Sequence, residues 1–395
     1  MELAFYLEKS RSHGYTLQHS LAELADNSIT HDAKNVWVYM YWSDDQGKNS
    51  FVMTMDDGNG MSEDELMNKA LAIPKKEHVD QGDKDLSVFG LGLKTGSFNH
   101  CRSITVMTKK NKLIKKTLNL NKGITDEMPS CIDHKFAEKI LKNFEKQKNG
   151  TIILWTDLDK ISRLRAIERG PNFYDDCDKS RKHFKLIYHK YLLNNQINLY
   201  FNGTDDVNKT KIFDPFYKNN QKTIKLPDTE ISFLKGGNTV LKPYIVPNDT
   251  GNENLNLSKN ELQGIYFFRK NRVIDFGGWF ELGEIHAGRY WSLNDRFNRL
   301  RIEAEIPAET SKDWITYSKN KVNIPDYAVN KFRKNLVKIR KDYLDKINLM
   351  GDDESDKEPM SETLKKKNKL IKMLRNKTLN DEDLLKIESL IKVLK

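Results

Sequence analysis

Leu17, Leu21, Leu24 and Ser28 recur at three- and four-residue steps, so the spacing predicts a helix with one apolar face. Glu23, Asp26 and Asn27 share its other face. Residues 35–42 are a run of β-branched and aromatic side chains and read as a strand. Residues 51–55 read as a second strand, ending in Asp56-Asp57-Gly58-Asn59-Gly60-Met61. Ser62 with Glu65 three residues later spells a capping box, which opens a short helix to about Ala72. Residues 73–86 are polar, lysine-rich and broken by Pro74 and Gly82, and read as a mobile loop. Strands are expected over 103–108, near 113–120 and over 150–155, and helix over about 161–193 with a break near Gly170-Pro171. A second, strand-rich region is expected to begin at residues 197–203 and to continue through 244–246, 264–269 and 300–306. Helix follows from Asp326 to about Met350, then an acidic linker near 351–360. The last element is a basic helical tail in which Leu384, Leu385, Ile387, Leu390, Ile391 and Leu394 form an apolar stripe.

Composition adds that this is a chain with much surface. Of 395 residues, 38% are hydrophobic and 31% charged, and the formal net charge is +10. A basic balance suits nucleic acid or acidic headgroups, and equally a lysine-rich proteome. Cys101, Cys131 and Cys177 are too few and too scattered for a disulfide framework or a zinc site. His13, His31, His100, His183, His189 and His286 show no ligand spacing. The first residues lack the basic and apolar segments of a signal peptide, and no run reaches the roughly 18 apolar residues of a membrane span. A cytoplasmic protein is expected, nuclear if the source is eukaryotic.

Three short patterns carry chemistry. Glu23-x-x-x-Asn27 puts a carboxylate and a carboxamide one turn apart, a proton acceptor beside a hard oxygen ligand for Mg²⁺. Asp56-x-Gly58-x-Gly60 follows a strand directly, where paired glycines mark a tight turn approached closely by something else. Gly90-x-Gly92-x-Lys94 opens a helix and offers free backbone N–H groups and an ammonium to an anion. Each alone is weak, since most such patterns are solvated helix faces or turns.

In this order the three patterns resemble the GHKL ATPases: gyrase, the ninety-kilodalton heat-shock chaperone, histidine kinases and MutL. Glu-Leu-Ala-Asp-Asn-Ser, Asp-Asp-Gly-Asn-Gly-Met and Phe-Gly-Leu-Gly-Leu-Lys-Thr-Gly-Ser are most similar to the versions in microrchidia (MORC) and MutL-like proteins. The stretch from Gln263 to Ile274 looks like a strand of their transducer domain with its Asn-Arg turn. The resemblance covers roughly residues 15–340. It implies an α/β (α+β) fold: a Bergerat-type ATP-binding sandwich of a mixed β-sheet with helices on one face, then a smaller α/β transducer domain and a helical C-terminal tail. The expected boundaries are 1–175, 176–330 and 331–395.

The resemblance also implies roles. Glu23 would be the general base, and Asn27 would hold Mg²⁺ on the phosphates. Asp56 would accept the adenine amino group, selecting ATP over GTP. Gly58 and Gly60 would let the base approach, with Met61 beside them. Gly90, Leu91, Gly92, Leu93 and Lys94 would close over the phosphates, with 73–86 as a lid. Thr151 would line the adenine pocket. Lys321 would reach the γ-phosphate from the second domain, with Lys319 a close rival. Two departures stand out: Thr30-His31 where the family has Asp-Ala, and Ser87 in place of a third glycine. The implied activity is slow ATP hydrolysis driving a nucleotide-dependent homodimer, with double-stranded DNA held electrostatically, the basic stretches 109–116 and 365–377 being candidate contacts. The rivals are a chaperone-like ATPase with a protein client and a nucleotide-gated binding module with negligible turnover. No membrane partner is expected.

Overall fold

The computed structural model describes residues 7–9, 11, 15–43, 49–72, 82, 84–88, 90, 92–161, 169–204, 207–233, 237–250, 255, 257–282, 291–316 and 318–351. Outside them fall Leu91, most of the expected lid, the acidic linker and the basic tail.

Residues 1–340 form one compact unit built on two sheets, and residues 341–395 are a second unit. The first sheet has seven strands in the order β5-β4-β3-β6-β2-β1-β7. They are β1 (Asn35–Tyr41), β2 (Phe51–Asp56), β3 (Ser103–Lys109), β4 (Leu113–Asn119), β5 (Gly123–Thr125), β6 (Gly150–Thr156) and β7 (Asn198–Phe201). All neighbours are antiparallel except β1 and β7, which run parallel.

Period-two alternation makes this sheet two-faced. Val36, Val38, Met40, Val52, Ile104, Val106, Ile153 and Trp155 join one core, which also takes in the apolar residues of α1 (Leu17–Thr30), Phe98 of α3 (Gly92–Phe98) and Phe184 of α5 (Arg169–Ile187). Tyr39, Phe51, Met53, Met55, Met107, Ile152 and Leu154 turn to the opposite face, covered by Ala137, Ile140 and Phe144 of α4 (Lys135–Lys146). The helices that border the candidate site thus lie on one face, and α4 adds a cover on the other.

Two local expectations need correction. The strand expected to open the second region is β7, and it joins the first sheet by pairing Asn35–Val38 with Asn198–Phe201. The sheet therefore runs past the boundary expected at residue 175. The capping box is present, with Ser62 Oγ accepting from Glu65 N at 3.2 Å and Glu65 Oε2 accepting from Ser62 N at 2.8 Å. What it opens is a single turn, α2 (Glu63–Glu65), that widens into a π turn over Leu66–Ala70 instead of a longer α-helix. Trp37 stacks on Tyr200 at 5.7 Å and Trp42 packs on Phe173 at 5.4 Å, so both serve packing.

The second sheet runs β12-β11-β13-β10-β8, with β9 also on β10. Its strands are β8 (Ile224–Lys225), β9 (Thr229–Ser232), β10 (Asn238–Ile245), β11 (Gly264–Arg269), β12 (Arg272–Phe276) and β13 (Leu300–Glu305). Lys270 (φ 50°) and Asn271 (φ 70°) alone join β11 to β12, and two consecutive left-handed residues are what a type I′ hairpin requires. That turn fixes where Arg272 emerges. The short helices α6 (His189–Leu193) and α7 (Ser311–Trp314) and the long α8 (Asp326–Gly351) complete the described elements.

Candidate functional site

A cavity of about 480 Å³ is lined by residues of α1, the β2 end, the Gly60 turn, the α3 start, β6 and the segment after α7. Of the residues singled out in the sequence, Glu23, Asn27, Asp56, Gly60, Met61, Gly90, Gly92, Leu93, Lys94 and Thr151 border it. Gly58 lies just behind, where a Cβ would stand 2.8 Å from the His31 carbonyl and 3.1 Å from Asp56 Oδ1.

At one end Asp56 closes β2. Its Oδ1 accepts from Gly58 N at 2.9 Å and from Thr151 N at 3.2 Å, and its Oδ2 accepts from Ser28 Oγ at 2.8 Å. Burial still outweighs these three donors and pushes the carboxyl up to about 6. Gly60 has φ +64°, and a Cβ there would fall 2.1 Å from the Lys109 carbonyl. Only glycine lets this turn lie against β3. The helix end at Thr30-His31 is integral to the site: His31 O accepts from Asn59 N at 3.0 Å, and Thr30 Oγ1 accepts from Leu86 N at 3.1 Å.

At the other end stands Glu23, 4% exposed. Its Oε2 is 2.9 Å from Lys319 Nζ, while its buried Oε1 has no hydrogen-bond partner among the described residues. Burial raises the Glu23 carboxyl, and the Lys319 charge pulls it back only in part. Gly92, the first residue of α3, backs directly onto this carboxylate, since a Cβ would stand 2.0 Å from Oε2.

One turn along α1, Asp26 is buried and does not line this cavity. Its Oδ1 accepts from Tyr188 OH at 2.7 Å and Arg272 Nε at 2.8 Å, and its Oδ2 accepts from Lys319 Nζ at 2.9 Å. Burial alone would raise it, but Arg272 and Lys319 outweigh that and hold the carboxyl low. Nearby, the β11–β12 hairpin grips the end of the 82–88 segment, with Arg269 Nη1 donating to Asp85 O at 2.8 Å and Lys270 Nζ at 3.0 Å.

The two rival lysines lie differently. Lys321 is exposed and does not line this cavity, whereas Lys319 is 3% exposed and does. The reason is backbone geometry. Ile315 bridges Val322, the loop between them turns through a left-handed Lys319 (φ 47°), and this aims Lys319 inward and Lys321 outward.

Lys94 has a second set of partners. It borders the cavity, yet its Nζ donates to Ala70 O at 2.8 Å and Lys69 O at 3.4 Å, capping the π turn. Burial lowers its ammonium to about 8. The basic hairpin is largely neutralised by acids: Lys110 pairs with Glu65 at 3.1 Å, Lys112 with Glu63 at 3.1 Å and Lys116 with Asp126 at 2.7 Å.

One family match falls on the residues that line this cavity. The family described as "Histidine kinase-, DNA gyrase B-, and HSP90-like ATPase" matches residues 15–151. No curated protein matches the chain. A similar solved structure, "Crystal Structure of N terminal domain of a DNA repair protein", has 14% identity and a TM-score of 0.48, covering 84% of this chain and 94% of its own. No described helix is long and apolar enough to cross a membrane. Residues 15–151, which supply nearly all of the cavity's lining, are thus the part of the chain that is similar to the histidine kinase-, DNA gyrase B- and HSP90-like ATPases.

Proposed function

We propose that the chain hydrolyses ATP with Mg²⁺ and uses nucleotide-dependent dimerisation as a switch, in the manner of MORC and MutL-like ATPases. The observation that carries this reading is Glu23. A buried carboxylate that faces a cavity with one oxygen unpartnered is costly, by about 1–3 kcal/mol, and suits a group waiting for a water proton. Raising its carboxyl by burial moves it toward the pH at which a base works.

The other residues divide the nucleotide between them. Asp56 accepts the exocyclic amino group of adenine, where guanine presents a carbonyl. Thr151, Met61, Gly58 and Gly60 shape the base pocket. Gly90, Gly92, Leu93 and Lys94 surround the phosphates, with Leu91 expected among them. Lys319 reaches the γ-phosphate by exchanging one carboxylate for it. Among the described residues no three His, Cys, Asp or Glu side chains cluster as a metal site, so Asn27 offers a single neutral oxygen and the phosphates must complete the shell. That donor set fits Mg²⁺, which takes few protein ligands, and the ion would neutralise phosphate charge.

DNA as client rests on the net charge of +10 and on the resemblance to MORC and MutL. The acid-paired lysines of the β3–β4 hairpin favour a protein client as the second reading. The test is sedimentation of Glu23→Ala with Mg²⁺ and ATP, with and without double-stranded DNA over a salt series. The DNA-clamp reading expects an ATP-dependent dimer that co-sediments with DNA and releases it as salt rises. A dimer indifferent to DNA at every salt moves the client to protein, and a monomer throughout removes the dimer switch.

A further inference from the structure

Asp26 contributes nothing to the cavity wall, yet it ties three separate elements to α1: Tyr188 between α5 and α6, Arg272 on β12, and Lys319. We propose that Asp26 is a positioning residue that holds the Lys319 ammonium at the γ-phosphate end of the cavity, with Arg272 as its fixed counter-charge. The inference rests on the reading of Lys319 given above.

A lysine on a four-carbon stem has many rotamers and no preferred direction. Here its ammonium has three acceptors at once: Glu23 Oε2 at 2.9 Å, Asp26 Oδ2 at 2.9 Å and Leu86 O at 3.3 Å. Three N–H bonds matched by three acceptors leave one orientation. When Glu23 turns to a water and the ammonium leans toward phosphate, Asp26 is the charged contact that can persist. Its place is in turn set by Arg272 Nε at 2.8 Å and Tyr188 OH at 2.7 Å, and Arg272 is aimed by the two-residue hairpin turn. Along the cluster the signs alternate, Glu23, Lys319, Asp26, Arg272, so the buried charges cancel.

The competing account is that Asp26 only neutralises Arg272 and pins the second sheet to α1. The experiment that separates them measures kcat and ATP affinity for wild type, Asp26→Asn, Lys319→Ala, their double variant, and the charge-balanced pair Asp26→Asn with Arg272→Met, each checked for folding by circular dichroism. Positioning predicts a loss in kcat of about 10- to 100-fold for Asp26→Asn, with ATP affinity within about threefold. The charge-balanced pair keeps that loss although no buried charge is left unpaired in it. Adding Asp26→Asn to Lys319→Ala costs nothing further. Restored kcat in the charge-balanced pair, or an equal fold-loss from Asp26→Asn with and without Lys319, overturns the proposal. If Asp26→Asn alone does not fold, the charge-balanced pair decides. Wild-type turnover that does not depend on Glu23 would fail the reading of the site itself; Glu23-dependent turnover with either negative result fails only the role of Asp26.

Discussion

Lys319 Nζ lies 2.9 Å from Glu23 Oε2, an ion pair that joins the segment after α7 to α1 at one end of the cavity. It makes the expected base and the expected phosphate sensor mutually exclusive partners. While Lys319 rests on Oε2 its charge holds the Glu23 carboxyl down; a phosphate that draws the ammonium away would make Glu23 the stronger proton acceptor. A ligand with such differential contacts can bias two states of one molecule.

Lys319→Ala should therefore cut ATP turnover by about 100-fold or more, while Lys321→Ala stays within about twofold of wild type. Steady-state hydrolysis on the two variants checks this. Equal losses would show that the inward position of Lys319 is not the one used.

Asp56→Asn should abolish ATP binding in calorimetry, because the amide cannot offer a free acceptor to the adenine amino group while Gly58 and Thr151 still donate to its one oxygen. The same change should stabilise the nucleotide-free protein. A carboxyl pushed up to about 6 binds its proton more tightly folded than unfolded, so stability falls as pH rises from about 4 to 6 and stays lowered above. The variant should melt about 3 °C higher than wild type at pH 7.5, with the gap closing near pH 4. Scanning calorimetry at both pH values checks the sign.

The α1 helix, the capping box, the three short patterns that gather round the cavity and most strands were legible because each is local: a period, a cap, or a glycine at a turn. Gly92 illustrates what such a pattern conceals, since its need for no side chain comes from Glu23 2.0 Å away from a would-be Cβ, far off in sequence. Lys319 against Lys321 could not be decided, because a left-handed φ of 47° at a lysine has no signature in composition or spacing. The membership of β7 in the first sheet was equally hidden, since a parallel pairing leaves no turn between the strands to read. Asp26 was visible only as a polar residue on a polar face. Its burial depends on Arg272 and Tyr188, which arrive from distant elements.

Gly92→Ala should lower kcat by about 100-fold while leaving ATP affinity within a few-fold, because a methyl at that point displaces the Glu23 carboxylate. Comparing kcat with the ATP dissociation constant separates this from a general loss of binding. Loss of binding alone would place Gly92 among the phosphate contacts only.

Burial lowers the Lys94 ammonium to about 8, so its charge fades as pH rises through that value. If it meets phosphate as an ammonium, ATP affinity should weaken by up to about tenfold per pH unit above pH 8. Lys94→Met should bind more weakly at pH 7 and lose that dependence. Calorimetry between pH 7 and 9 reads both, and an unchanged slope in the variant would leave Lys94 as a cap on the π turn.

The most direct measurement is ATP turnover by wild type and Glu23→Ala, alongside ATP binding by both at saturating Mg²⁺. The account predicts slow hydrolysis by wild type, none above background in Glu23→Ala, and ATP bound by the variant as tightly as by wild type. Equal hydrolysis by the two proteins would contradict it.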